Sequence, residues 1–354
     1  MIDYGEPPAT DEIEVTLFGP GYGEAIAIHL GEGAWILVDS CIDPESKYPA
    51  SATYLKQIGV DVERVRAIVA SHWHDDHVRG IAKLASVYPN ADFIISAVFN
   101  NKEATAFLAG YSGDSSLGLA RGAKELHAVL RAREKVSFAL HRTTVLEATL
   151  NARQVRVTAL SPMSGAFAQS LAHFAQYLPT KGRAINHAPE IRPNFEAIAL
   201  HIDLGEDAVL LGSDLENHNA FGWSAVVADQ WSGTRKPATA YKVAHHGSFS
   251  GHCPEVWSVL LTPTPVACVT PFTLGDLRLP TDADKERVKG ATPLAFISSG
   301  ASRRPDMDSR QLKRLADICK KLVRVDAGFG AVRLRRKLGA PAWSVELFGA
   351  AQAL

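Results

Sequence analysis

Three histidines and two aspartates fall within six residues in Ser71-His72-Trp73-His74-Asp75-Asp76-His77-Val78-Arg79-Gly80, directly after the apolar run Arg66-Ala67-Ile68-Val69-Ala70. A strand that opens into such a loop constrains the fold, because it must gather these side chains around something that wants them. Imidazole nitrogens and carboxylates are donors for zinc and the neighbouring borderline metals. His72 and His74, two apart in extended backbone, point the same way and can chelate one ion. Asp76 and His77, past the bend, are placed for a second. Two ions about 3.5–4 Å apart can hold a bridging hydroxide and stabilise both attacking and leaving oxygens. The expected cofactor is therefore two divalent ions, zinc first, with manganese or iron also suited to these donors. The bland alternative is a solvated histidine-rich loop.

Around the cluster, strand-sized apolar runs recur between Gly, Pro and Asp. Strands are predicted at 14–18, 25–30, 34–38, 65–70 and 92–96, then at 155–160, 197–202, 208–211, 242–244 and 266–270. Helices are predicted at 51–58, 78–87 and 123–135. Between 101 and about 150 the texture turns to Ala, Leu, Lys, Glu and Arg, which predicts a helical insertion. Strands interleaved with helices imply an α/β fold with sheets inside and helices outside. With no repeat, low-complexity tract or Gly/Ser linker, the expectation is a single domain over 1–354, with its core at about 13–340.

The histidine cluster resembles that of the metallo-β-lactamase-fold hydrolases, and other segments are similar to further parts of that family. The resemblance implies a four-layer αββα sandwich with the metals at one edge. It implies that Asp39, at the end of Trp35-Ile36-Leu37-Val38-Asp39-Ser40, orients the metal loop without touching the metal. It also implies that Asp214, ending Ala208-Val209-Leu210-Leu211-Gly212-Ser213-Asp214, bridges the ions, although the family more often has Gly where Ser213 stands. Tyr241-Lys242-Val243-Ala244-His245-His246-Gly247-Ser248 resembles the signature of the metallo-hydrolase domain in competence-type DNA-uptake proteins, and choline-phosphate esterases look similar there. Asn194-Phe195-Glu196-Ala197-Ile198-Ala199-Leu200, Val155 to Pro162 and Val323 to Val332 resemble further elements of that branch.

The resemblance implies that one of the paired histidines completes the second metal site, and strand alternation, which places His245 and His246 on opposite sides, argues against both binding the same ion. His246 is taken as ligand and His245 as the group that meets substrate oxygen, donating to an oxyanion or leaving group. Asp76, His245, Asn194 and Ser248 form the expected catalytic set, with Ser248 positioned to hydrogen-bond a phosphate oxygen. The ligand set is His72, His74, Asp76, His77, Asp214 and His246. The family's further histidine for the first metal has no clear counterpart here. His187, His201 and Asn194 are the candidates, and His201 reads better as a half-exposed strand residue. The branch's late His-Pro is replaced by Leu279-Pro280. His218 and His252 are candidates for the pocket rim, and Trp73, Phe249, Trp223 and Trp231 for an aromatic wall.

The expected function is a dinuclear-metal phosphodiesterase, or a nuclease. The alternatives are a carbonyl hydrolase acting on a lactone, thioester or β-lactam, and a non-catalytic metal-binding or interaction protein. The overall balance of 37 Lys+Arg against 38 Asp+Glu excludes a globally basic nucleic-acid binder. Yet residues 303–337 hold twelve basic residues against four aspartates, a local +8. That is either a polyanion footprint or the solvated face of a terminal helix. No apolar run reaches the roughly 18 residues that cross a bilayer. The first residues show no basic and apolar leader. The four cysteines are too scattered for a disulfide framework. A cytoplasmic protein without membrane association is expected.

Overall fold

The computed structural model describes residues 2–19, 23–100, 102–111, 120–176, 193–274, 276–299, 314 and 328–354. The chain first lays down β1 (Glu12–Gly19), β2 (Ala25–His29), β3 (Trp35–Val38), β4 (Val65–Ala70), β5 (Asp92–Ser96) and β6 (Ser137–Ala139). It then forms β7 (Thr144–Leu150), β8 (Arg153–Ala159), β9 (Leu200–Asp203), β10 (Ala208–Leu211), β11 (Ala238–Lys242) and β12 (Leu261–Val269). A hairpin of β13 (Phe272–Leu274) and β14 (Leu277–Leu279) follows, then β15 (Ala295–Ile297), β16 (Gly330–Lys337), β17 (Ser344–Gly349) and β18 (Gln352–Ala353).

Two eight-stranded sheets result, in the orders β17-β16-β1-β2-β3-β4-β5-β6 and β18-β15-β12-β11-β10-β9-β8-β7. The helices are α1 (Ala50–Gln57), α2 (Asp75–Val78), α3 (Ile81–Val87), α4 (Lys102–Tyr111), α5 (Ala120–Ala132), α6 (Ser164–Gln176), α7 (Trp223–Ala228), α8 (Gln230–Gly233) and α9 (Asp282–Ala291).

Strand alternation builds the layers. Ile36 and Val38 of β3 and Ala67 and Val69 of β4 join Leu200, Ile202, Val209 and Leu211 in one core between the sheets. The alternate residues Trp35, Leu37, Ile68 and Ala70 face outward into a second core with Tyr54, Leu84, Phe107 and Leu126 from the helices. On the far side, Ala199 and Leu210 meet Trp223, Val226 and Val288. Three apolar interfaces separate four layers, the αββα sandwich that the resemblance implies.

Three expectations change. Helix 78–87 is broken: Gly80, at φ 86°, separates α2 from α3, a left-handed conformation that Gly adopts at no steric cost. Within 101–150, helices α4 and α5 form, but Ser137–Ala139 and Thr144–Leu150 are strands at the outer edges of the two sheets. These edge strands are half-exposed and polar, so they lack the apolar alternation that marks a strand. Both sheets also continue past 340, through β17 and β18. Among the described residues, no helix is long and apolar enough to cross a membrane.

The topology decides where chemistry can sit. β3 and β4 run parallel, as do β10, β11 and β12. Their carboxyl ends deliver Asp39, the 71–77 loop, Asp214, the His245–His246 turn and Thr270 to one edge of the sandwich. In open α/β sheets this is where ligands bind.

Candidate metal centre

The loop after β4 is held from beneath by Asp39, which is buried. Its Oδ1 accepts from the Ser71 amide at 2.7 Å, its Oδ2 from the Ser71 hydroxyl at 2.7 Å, and the same Oδ2 from His77 Nδ1 at 2.7 Å. Because the Ser71 hydroxyl donates to Asp39, it accepts from His72 Nδ1 at 3.1 Å. The protons of both imidazoles thus point away from the site, leaving their Nε2 lone pairs toward it. On the other sheet, His246 Nδ1 donates to the Thr270 carbonyl at 3.0 Å, so its Nε2 also faces inward.

Two groups of donors converge and share Asp214. Ligand atoms of His72, His74 and Asp214 all lie within 4.8 Å of one another. On the other side, His77 Nε2 is 3.3 Å from Asp214 Oδ2 and 3.5 Å from Asp76 Oδ2. His246 Nε2 is 3.3 Å from Asp214 Oδ2 and 3.2 Å from Asp76 Oδ2. Glu24 is also close, but only to the outward nitrogens, 3.6 Å from His77 Nδ1 and 3.8 Å from His246 Nδ1. Those nitrogens are already committed, and Glu24 instead pairs with buried Lys242 at 2.7 Å. Asp76, not Glu24, therefore completes the second group.

The electrostatics are those of a cavity built for cations. Burial lowers His72 well below the ordinary histidine value, reinforced by His77 and His74, and burial lowers His74 too. Both are therefore neutral, the ligand form. For His77 and His246 burial also pulls down, but the carboxylates outweigh it. His77 is held well above its usual value by Asp214, Glu24, Asp76 and Asp39, and His246 at about 9, chiefly by Asp214. Protons here offset a negative charge that divalent ions would neutralise. The wholly buried His77 Nε2 meets no well-aligned hydrogen-bond partner, and a cation that displaced its proton would satisfy that nitrogen. The donor set thus fits two divalent ions.

Four residues at this edge share an unusual backbone: Asp39, Ser213, His245 and His246 have φ of 59°, 46°, 48° and 53°. Left-handed conformations cost non-glycine residues, and they collect at functional sites. Ser213 occupies the conformation that Gly takes most readily, which is a physical reason for Gly at this place in similar sequences. The same geometry corrects the reasoning on the paired histidines. β11 ends at Lys242, so His245 and His246 are not alternating strand positions. A left-handed turn separates them instead, burying His246 and leaving His245 on the wall of a cavity of about 1070 Å³.

That cavity is lined by Asp76, Asn194, Asp214, His245, His246 and Ser248 among others. Asn194 Nδ2 donates to Glu216 at 2.6 Å and lies 3.3 Å from His245 Nε2. His245 Nδ1 is 2.8 Å from the Ser250 hydroxyl and 3.0 Å from that of Ser248. With Asn194 donating to Nε2, the proton of His245 sits on Nδ1. Burial keeps the ring below its ordinary value, hence neutral.

Of the other candidates, His187 lies outside the described residues. His201 is buried rather than half-exposed, and its Nε2 bonds the Lys236 carbonyl at 2.8 Å, away from the site. His218 stacks on Phe221 at 4.2 Å, and neither it nor His252 lines this cavity. Of the four aromatic candidates, only Phe249 lines it; Trp73 and Trp223 are buried in the cores and Trp231 carries Arg235 over its ring. Glu24, Lys242, Thr270, Glu216 and Arg287 were not anticipated. Only Lys242 left a signal, a lone charge in an apolar strand.

Trp73 instead reports on an unexpected group. Its Nε1 donates to Glu196 at 3.0 Å, and Glu196 is wholly buried. Burial pushes its carboxyl up to about 7, against hydrogen bonds from Ser170 and Trp73. A carboxyl with a raised folded value contributes its stability below the unfolded value of about 4.5 and loses it as pH rises through 7. Glu196→Gln should therefore match the parent protein near pH 4.5 and exceed it in stability above pH 7. A gain of roughly 2–3 kcal/mol follows from the shift. Urea unfolding at several pH values checks this, and a pH-independent difference would contradict it.

Residues 18–146 match the family model for the metallo-beta-lactamase superfamily. The match takes in Asp39 and the whole 71–77 cluster. Among solved structures, the chain is similar to metallo-beta-lactamase SMB-1 bound to 2-mercaptoethanesulfonate, with 14% identity, covering 69% of this chain and 82% of that one, TM-score 0.37. It is similar to MEM-A1, a subclass B3 metallo-beta-lactamase from a soil metagenome library, with 18% identity, 70% and 83% coverage and TM-score 0.32. It is also similar to Zn(2+)-bound PqqB from Methylobacterium extorquens, with 13% identity, 62% and 56% coverage and TM-score 0.30. Curated proteins yield no match. The metal-loop cluster lies inside the matched span, whereas Asp214 and His246 lie beyond it.

Proposed function

We propose that this chain is a dinuclear-metal hydrolase of phosphodiesters. The observation that carries the reading is Asp214, whose carboxylate belongs to both donor groups at once. Ions held there would supply Lewis acidity and an activated water at one edge of the cavity. His72, His74 and Asp214 would hold one ion, and Asp76, His77, Asp214 and His246 the other. Zinc suits these donors best, with manganese and iron as alternatives.

The remaining steps belong to the protein. Asp39 and Ser71 hold the histidine rings in register. His245, neutral and with its proton on Nδ1, can take a proton at Nε2 from a group in the cavity. Sequence alone favours a donor role for His245; the Asn194 contact supports an acceptor role for its Nε2. Ser248 offers a hydroxyl in the same cavity, which can hydrogen-bond an oxygen of an anionic substrate. The resemblance of Tyr241–Ser248 to the competence-type and choline-phosphate signatures supports a phosphodiester in particular.

Nucleic acid is the less supported form of that substrate. In 328–337, Arg333, Arg335, Arg336 and Lys337 are paired with Glu346, Glu14, Asp207 and Asp11. Their charge is spent within the fold. The rest of the basic segment lies outside the described residues, apart from Arg314.

The test is a substrate panel on one metal-loaded preparation. Bis-p-nitrophenyl phosphate should be hydrolysed, and p-nitrophenyl acetate, a lactone and nitrocefin should be turned over at least about 100-fold more slowly, as a site selective by its polar contacts discriminates. Turnover of the carbonyl substrates without the phosphodiester would overturn the reading in favour of carbonyl hydrolysis. Metal binding with no turnover of either would favour a binding protein.

A further inference from the structure

The floor of the cavity is polar, but its mouth is not. Phe249, Leu274 and Leu277 are 77%, 60% and 52% exposed, and all three line the cavity. Among the described residues only six large apolar side chains are exposed to this degree, so half of them sit at one opening. Exposed apolar surface gathered in one place marks a contact site, whereas scattered single residues do not. The two leucines belong to the β13–β14 hairpin, which is paired with neither main sheet. Nor is the hairpin detached from the chemistry, because its first residue, Phe272, stacks on His246 with ring centres 5.1 Å apart. An unbroken path therefore runs from an inward-facing imidazole, across Phe272, to two exposed leucines.

Charge is managed so that this rim stays uncharged. Arg287 lies over the Phe249 ring at 5.5 Å, but its guanidinium is held by Asp284 at 2.6 Å and by the Gly247 carbonyl at 2.7 Å. Pinned this way, it flanks the rim without projecting across it.

We infer that this rim is a subsite for an apolar alkyl or aryl arm, so that the substrate is a monomeric amphiphile with its anionic phosphodiester at Asp76 and Asp214 and one uncharged ester arm against Leu274, Leu277 and Phe249. The inference rests on the proposed phosphodiester reading for the head group; the arm is argued from the cavity alone. A concave rim of three side chains suits a single chain better than a flat lipid surface.

Two measurements test it. In calorimetric titrations of metal-loaded protein with alkylphosphonic acids from methyl to octyl, kept below their micelle concentrations, affinity should rise about fourfold per added methylene. In the double variant Leu274→Ser/Leu277→Ser that slope should fall to less than about 1.5-fold, since the burial behind it is lost. Leu294→Ser/Leu347→Ser, which removes exposed leucines outside the cavity, should leave it intact. Alkyl p-nitrophenyl phosphates and p-nitrophenyl alkanoates of matched length form the kinetic arm. If only the alkanoates are cleaved, yet KM falls with chain length and the Leu274/Leu277 variant flattens that fall, the apolar subsite stands and the phosphodiester reading fails. A flat slope in both phosphonate binding and hydrolysis overturns the subsite. So does binding to phosphatidylcholine vesicles that the double variant abolishes, which would make the rim a membrane contact.

Discussion

Asp214→Asn should lower hydrolysis of bis-p-nitrophenyl phosphate by roughly a thousandfold or more, well beyond the 10–100-fold typical of losing a group outside the ligand sphere. The size follows from position. Asp214 Oδ2 faces both His77 Nε2 and His246 Nε2 at 3.3 Å, and the same residue belongs with His72 and His74. Removing one negative charge there weakens both ion sites together, so the loss is not divided between them. Asn keeps the shape of the side chain, and Lys242 keeps Glu24, so the fold should persist. Circular dichroism with initial-rate kinetics checks this. A variant within tenfold of the parent activity would show that Asp214 does not link the two sites.

The second large effect concerns stability. Lys242 is wholly buried, 2.7 Å from Glu24 Oε1 and 3.7 Å from Asp214 Oδ1, and its Nζ donates to the Ser213 carbonyl at 3.0 Å. Burial pulls its ammonium down, but Glu24 and Asp214 outweigh this and hold it above the ordinary lysine value. Lys242→Met removes the closest cation from buried Glu24, which keeps only the Thr270 hydroxyl and the more distant His77 and His246; breaking a buried pair typically costs about 3–5 kcal/mol. Adding Glu24→Gln removes the stranded charge, and the double variant should recover at least half of the loss. Urea unfolding of both variants measures the coupling. Strict additivity would mean that the pair acts only through packing.

The layers of this fold were legible because the central strands carry their information in alternation. Ile36 and Val38 against Trp35 and Leu37 already announce a strand buried on both faces. The edge strands β6 and β7 were not, since exposed positions such as Thr144 and Glu147 tolerate polar residues and erase the period. The site divides along the same line. His72, His74, Asp76 and His77 are close in sequence and were readable from chemistry and spacing. The residues that hold them are not close. Glu24 comes from the turn before β2, Lys242 from the end of β11 and Thr270 from the end of β12, and only the stacking of two sheets brings them together. The His245–His246 pair is a third case. The residue types were informative, but a left-handed turn, which no alternation rule describes, sets where each ring points.

The central claim is that two adjacent cation sites share one aspartate. Metal content measures this most directly: protein equilibrated with zinc, freed of excess ion and analysed by plasma mass spectrometry beside Asp214→Asn. The account predicts about two ions per chain in the parent protein, as a dinuclear centre requires, and loss of both in the variant. A folded parent chain that retains no ion, or a variant that retains as much as the parent, would contradict it.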